Sequence, residues 1–271
     1  MIGREESIFL DRIKGDRPVI FCFHHAGENA RVFNHWINSK MVDAVPVELP
    51  GRGIRLKERL SSDIKSICRE TAACIFHEIG QGEKFVEFSL FGHSLGAIIA
   101  FGVACILRKK YRLHPCCLQI SGRHAPQDED PSPYRTSMGI APLIEEIKKL
   151  GHTPSELLEN REFLDFIIPT IFSDYALGES FVYENQMLDI PIYAYSGSKD
   201  RDADVDVMQH WEEVTSKKFR IRQFDGDHFY LFDQKNNVAD QVVKDMLCCC
   251  KDLKMPISRM PAEMVCETGT I

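Results

Sequence analysis

Gly92-His93-Ser94-Leu95-Gly96 sets a hydroxyl between two glycines. An apolar run, VEFSLF, precedes it, and a helical pattern, LGAIIAFGVACILRKK, follows. That context is a sharp strand-to-helix turn, in which the residues two before and two after the serine must be small. A serine at such an apex is presented as a nucleophile. The helix start behind it offers free backbone N–H groups to negative charge. Tight strand–helix packing alone also accounts for two glycines. A catalytic reading therefore depends on a base, and on an acid to orient that base, elsewhere in the chain.

Ten histidines compete for the base. His24, His25 and His35 precede the serine, and His93 lies inside the turn. His77 and His114 fall on or beside helices, His124 and His152 in a long helical segment, and His210 in a helix. His228 alone follows the last expected strand, in FDGDHFYLF, where a glycine-containing loop can swing an imidazole over the sheet edge. The acid is expected after an earlier strand. Asp200 stands closest to the end of IPIYAYS, across the Gly197 turn. Asp202, Asp204 and Asp206 follow as alternatives, each equally suited to a solvated turn or a helix start. Asp225 and Asp227 share the histidine's own loop and are poorly placed to reach its far nitrogen.

An oxyanion needs donors. The backbone N–H of Leu95, directly after the serine, is one, and a loop after an early strand should supply another; FCFHHAGE occupies that place. No metal is expected there, because adjacent His24 and His25 point apart and no third ligand is evident. Asp202, Asp204, Asp206 and Glu213 have calcium-loop spacing, but Val207 stands where such a loop turns on glycine. Ten cysteines contain no C-x-x-C pair, so no structural zinc is expected, and the Cys248–Cys250 run is assigned no role.

The elements that position these groups are short. PVIFCF, AVPVEL, VEFSLF, CCLQIS, IPIYAYS and FRIRQF read as strands. SIFLDRI is expected to pair with the first of them as a hairpin. Ser62 can cap a helix carried by Ile64, Ile67, Cys68, Ala72, Ile75 and Ile79, with Gly80 as its stop. A second helix is expected over 94–110, and a third is marked by Val238, Val242, Met246 and Leu247. Repeated β-α alternation makes this an α/β fold with a mainly parallel sheet covered on both faces. From about 125 to 189 no strand is evident. The pattern is a helical insertion, read equally as a lid or as a structural layer. One domain over 1–250 and a flexible or loosely docked tail over 251–271 are expected.

A formal charge of −7 and the lack of a basic stripe argue against nucleic acid. No run approaches the roughly 18 apolar residues of a membrane span. The polar N-terminus does not read as a signal peptide, so reduced thiols and a cytoplasmic location are expected.

In order, FCFHHAG, ELPGRGIRLKERL, LFGHSLGA, LGHTPSELLENREFLDFIIPTIFSDY, YSGSKD and GDHFYLF resemble the type II thioesterases of the α/β-hydrolase superfamily. These are the stand-alone editing enzymes of non-ribosomal peptide, polyketide and fatty-acid synthases. The resemblance runs from about Pro18 to Cys248. It implies Ser94 as nucleophile, Asp200 as acid, His228 as base, and the amides of Ala26 and Leu95 as the oxyanion hole. It also implies a lid that gates a phosphopantetheine arm, an acyl or peptidyl carrier protein as partner, a monomer, and no cofactor beyond the arm on the substrate. Glu28, where the family often has a small residue, and the tail past Asp252 depart from the pattern. A general carboxylesterase or lipase uses the same triad. A malonyl transferase usually carries glutamate where Ala97 stands. A non-catalytic carrier-binding module would more often lack a triad member.

Overall fold

Runs dense in β-branched and aromatic residues suit strands buried on both faces. A computed structural model of the protein describes residues 7–250 except 12, 14, 35, 38, 81–85 and 152. Its strands are β1 (Val19–Phe23), β2 (Asp43–Val47), β3 (Phe88–His93), β4 (Leu118–Ser121), β5 (Ile192–Gly197) and β6 (Phe219–Phe224). They form one sheet in the order β2-β1-β3-β4-β5-β6, parallel throughout. β1, β3, β4 and β5 are buried along their whole length. In β1, Val19, Phe21 and Phe23 face one layer, while Ile20 and Cys22 face the other. That alternation follows from the two-residue period of a strand.

The first layer holds α1 (Ile64–Ile79) and α2 (Leu95–Ile106); α7 (Val238–Leu247) lies in the second. Asp63, rather than the expected Ser62, caps α1, its carboxylate accepting from the Lys65 N–H. The expected 94–110 helix is α-helical through α2 and continues as a π-turn over Leu107–Tyr111.

The expected N-terminal hairpin does not form. Both edges of β1 are occupied, by β2 and β3. The open edge belongs to β2, and Phe9 bridges Val47 there in antiparallel sense, with Leu10 N–H donating to the Pro46 carbonyl.

Between β4 and β5 run α3 (Ile140–Leu150), α4 (Ser155–Leu158) and α5 (Arg161–Glu179). They share a small core of their own around Tyr134, Leu143, Ile147, Leu158 and Ile168. After β5 comes the short α6 (Val205–Gln209). The 251–271 tail lies outside the described residues. No helix among them is long and apolar enough to cross a membrane.

A polar knot fixes α7. Asp245 takes both Arg222 contacts, at 2.8 and 2.6 Å, and a 3.0 Å hydrogen bond from the Tyr195 hydroxyl. Gln119 donates to Tyr195 Oη and to the Val242 carbonyl. The loop carrying His228 is therefore pinned at both ends, by β6 and by α7.

Candidate active site

The turn after β3 is strained. Ser94 has φ 54° and ψ −117°, a backbone that side chains rarely adopt and that costs roughly 1–3 kcal/mol. The two glycines are what let it exist: a Cβ on Gly92 would collide with the Gly96 carbonyl, and one on Gly96 with the Phe23 carbonyl. The Ser94 N–H donates to the Ser121 carbonyl at 2.8 Å, which fixes the apex against β4.

His228 follows β6, and its Nδ1 lies 2.8 Å from Asp200 Oδ2. The other Asp200 oxygen accepts the N–H groups of Asp202 and Ala203, each at 3.2 Å. A carboxylate so held orients the imidazole and leaves its Nε2 to act. The His228 ring packs on His93, with centroids 4.8 Å apart. His93 is fixed in turn by Ser121 Oγ at 3.0 Å, which meets the Tyr230 hydroxyl at 2.6 Å.

The alternative carboxylates have other employment. Asp204 caps α6 and Asp227 accepts the Phe229 N–H. Asp225 pairs with Lys199, which lowers its pKa. Asp202 lines the cavity, where burial first, then Glu146 and Asp200, raise its pKa.

Above the turn lies a cavity of about 220 Å³. Ser94, Leu95, Ala26 and His228 line one side. Ile147, Leu150, Phe163, Ile167 and Ile171, from α3 and α5, line the other. Arg123, His124, Asp130, Glu146 and Tyr175 add polar groups to the lining. Burial, then the Arg123 charge, push the His124 imidazole down to about 4, so it is neutral at pH 7.

One buried pair ties these walls together. Asp174 of α5 is 1% exposed. Its Oδ2 accepts the Gly27 N–H at 2.7 Å and Arg52 Nη1 at 2.5 Å, while Oδ1 accepts Arg52 Nη2 at 2.7 Å. Arg52 Nη1 also donates to the Glu28 carbonyl. Burial raises the Asp174 carboxyl, and Arg52 and Gly27 pull it back. With Gly27 engaged, Ala26 and Leu95 both line the cavity. Among the described residues, neither of their backbone amides has an acceptor in the protein.

A family model described as "Thioesterase domain" matches residues 18–246. This chain belongs to the thioesterase family. The thioesterase is 32% identical to the linear gramicidin dehydrogenase LgrE of Brevibacillus parabrevis, over 81% of this chain and 84% of that one. It is 29% identical to the medium-chain S-acyl fatty acid synthase thioesterase of Rattus norvegicus, over 86% of this chain and 88% of the other. It also resembles the solved structure of YbtT, the type II thioesterase of the yersiniabactin NRPS/PKS pathway, with a TM-score of 0.76 and 26% identity, over 89% and 97% of the two chains. The dehydrogenase name is LgrE's alone. After β1 the thioesterase has His-His-Ala-Gly, with no Gly-x-Gly-x-x-Gly nucleotide turn.

The structure brings Ser94, His228, Ala26 and Leu95 to one cavity and Asp200 to the imidazole behind it. Sequence reasoning missed Asp174, because nothing local marks a carboxylate in the middle of an amphipathic helix. Arg52 and Arg55 are 7% and 5% exposed, and Arg55 is held by Glu58 and Glu70.

Proposed function

We propose that this thioesterase hydrolyses acyl groups from the phosphopantetheine arm of an acyl or peptidyl carrier protein in a peptide, polyketide or fatty-acid synthase. The observation that carries this reading is the His228–Asp200 pair at 2.8 Å, set at the cavity that Ser94 enters, in a chain of the thioesterase family. The names of the relatives, which point to peptide, polyketide and fatty-acid synthesis, support it.

In the mechanism, His228 Nε2 takes the Ser94 proton, and the alkoxide attacks the thioester carbonyl. The amides of Ala26 and Leu95 receive the oxyanion, and the α2 N-terminus favours its charge. The pantetheine thiol leaves with the proton from His228. Water, deprotonated by His228, then attacks acyl-Ser94 and frees the acid. Asp200 holds the imidazole and stabilises it while protonated. The reading needs no cofactor, and every group it uses comes from one chain. The helical cover acts as the lid over the arm.

The cavity also bears on chain length. Asp130, Glu146 and Asp202 are among the residues that line it, so part of the wall offers an acyl chain carboxylates rather than hydrocarbon. Each buried methylene is worth about 0.8 kcal/mol in an apolar wall, or roughly fourfold in kcat/KM. Short or polar acyl groups are the substrates that lose nothing here. This fits an editing role.

The test compares one short acyl group on a carrier protein, on coenzyme A and as a nitrophenyl ester. The carrier-bound form should have the highest kcat/KM, and the gain per added methylene should stay well below fourfold. A higher kcat/KM on the free ester would replace the editing reading with a general esterase.

A further inference from the structure

Four of the described cysteines gather away from the reacting groups. Ser94, Asp200 and His228 stand at or beyond the C-terminal ends of their strands. Cys116 and Cys117 instead lead into β4, and Glu87 leads into β3. These residues mark the opposite, N-terminal edge of the sheet, where the Cys116 N–H donates to the Phe88 carbonyl at 2.7 Å. Cys249 and Cys250, just past α7, come back to the same edge.

The geometry is that of a shared ligand. Cys250 Sγ lies 3.9 Å from Cys116 Sγ. A carboxylate oxygen of Glu87 and these two sulfurs all lie within 4.8 Å of one another. Two thiolates bound to one zinc at about 2.3 Å, at the tetrahedral angle, stand about 3.8 Å apart. A disulfide needs about 2.05 Å, so the pair would have to close by nearly half. All three residues are partly exposed, which leaves an ion a path in. Cys249, whose Sγ lies 3.4 Å from the Tyr193 hydroxyl, seats the α7 end beside them.

We infer that Cys116, Cys250 and Glu87 form a binding site for a thiophilic divalent cation, with Zn²⁺ the ion of best fit. Two sulfurs and one oxygen suit zinc, whereas calcium and magnesium want oxygen alone. The fourth position is left to solvent. As the ion binds, both thiols give their protons to solvent and the carboxylate coordinates as its anion, with no change of oxidation state. The site is structural: it ties the end of α7 to the starts of β3 and β4. Metal that binds only the folded chain adds to stability.

The test uses the full chain under reducing conditions, with Co²⁺ as a spectroscopic probe. The expected result is one cobalt per chain, with a thiolate-to-cobalt charge-transfer band and tetrahedral visible bands, both erased by Zn²⁺. Zn²⁺ should also raise the melting temperature. Cys116→Ser with Cys250→Ser should abolish the bands while nitrophenyl ester hydrolysis persists. Glu87→Gln should weaken cobalt binding by at least about tenfold. Cys248→Ser should leave it intact. If the double Cys116/Cys250 variant does not fold, Cys250→Ser alone serves, since that residue lies beyond the last helical turn. Absence of the bands in the wild type overturns the proposal. So does equal cobalt binding without Cys116 and Cys250, or a Cys116–Cys250 disulfide that forms in the presence of stoichiometric zinc.

Discussion

The sheet and its helical cover are built on different principles. Strands β1, β3, β4 and β5 are buried from end to end, and cores on both faces lock them. The cover has a small core of its own and exposes large apolar side chains, with Phe166 81% exposed. The two meet at the buried Asp174–Arg52 pair and the Gly27 amide. A site that must hold three reacting groups to within fractions of an ångström needs the first kind of structure. A surface that, in the proposed function, admits an arm and a partner needs the second. The difference fits the proposed division of labour: bond-making on the sheet edge, access and selection on the cover.

The largest effect should come from the sheet side. Ser94→Ala should lower kcat on every substrate by on the order of 10³-fold or more, with an unchanged melting temperature. His228→Ala should be as damaging, and the double variant little worse. Turnover within tenfold of wild type in Ser94→Ala would move the chemistry elsewhere.

The joint comes next. Asp174→Asn leaves the Arg52 charge buried without its counterion, and breaking one side of such a pair costs about 3–5 kcal/mol. Urea unfolding should show that loss. The kcat should fall about tenfold because the Ala26–Gly27 loop loses its brace. Replacing both partners, Asp174→Leu with Arg52→Met, should restore much of the stability but not kcat. Recovery of both would show that the pair joins the two regions without positioning the loop.

A third test uses pH to compare histidines from the two regions. His24 is buried at the start of the loop that carries Ala26 and Gly27, and its Nδ1–H donates to the His25 carbonyl at 2.9 Å. Burial first, then the Arg52 charge, lower its pKa from 6.5 to about 3. It is therefore neutral in the fold, and its 3.8 Å approach to Glu48 is not an ion pair at neutral pH. The unfolded chain takes up a proton near 6.5 that the folded chain refuses. This contribution is full above 6.5 and is lost as pH falls towards 3. His124, at the cavity, behaves alike down to about 4. His24→Asn keeps the donor and should remove a few kcal/mol of the acid-side slope in urea midpoints. His124→Asn should remove less, because its shift is smaller. An unchanged slope in His24→Asn would mean that the imidazole charges within the fold.

The smallest effect belongs to the cover's surface. Phe166→Ser should raise KM for carrier-bound substrate about three- to fivefold, a rim contact worth about 1 kcal/mol, and leave nitrophenyl ester kinetics unchanged. Equal losses on both substrates would place Phe166 in the acyl cavity instead of the docking face.

Local chemistry determined much of this protein. Five strands were legible because short apolar runs between turn signals are what a buried parallel strand requires, and FRIRQF because its polar and apolar residues alternate, as suits the sheet-edge strand β6. Gly92 and Gly96 announced the strained turn, since no side chain fits at either position. The His228–Asp200 pairing was legible because each residue follows a strand, at the C-terminal end of the sheet. Long-range matters were left to the tertiary structure. The segment around Phe9 joined β2 rather than its sequence neighbour because β1 had no free edge. Arg52 found Asp174 across 122 residues, and Cys116 found Cys250 across 134. Neither pairing leaves a periodic or spaced signal. A side chain's partner across the fold is set by how helices seat on a sheet, and that seating is a property of the packed whole.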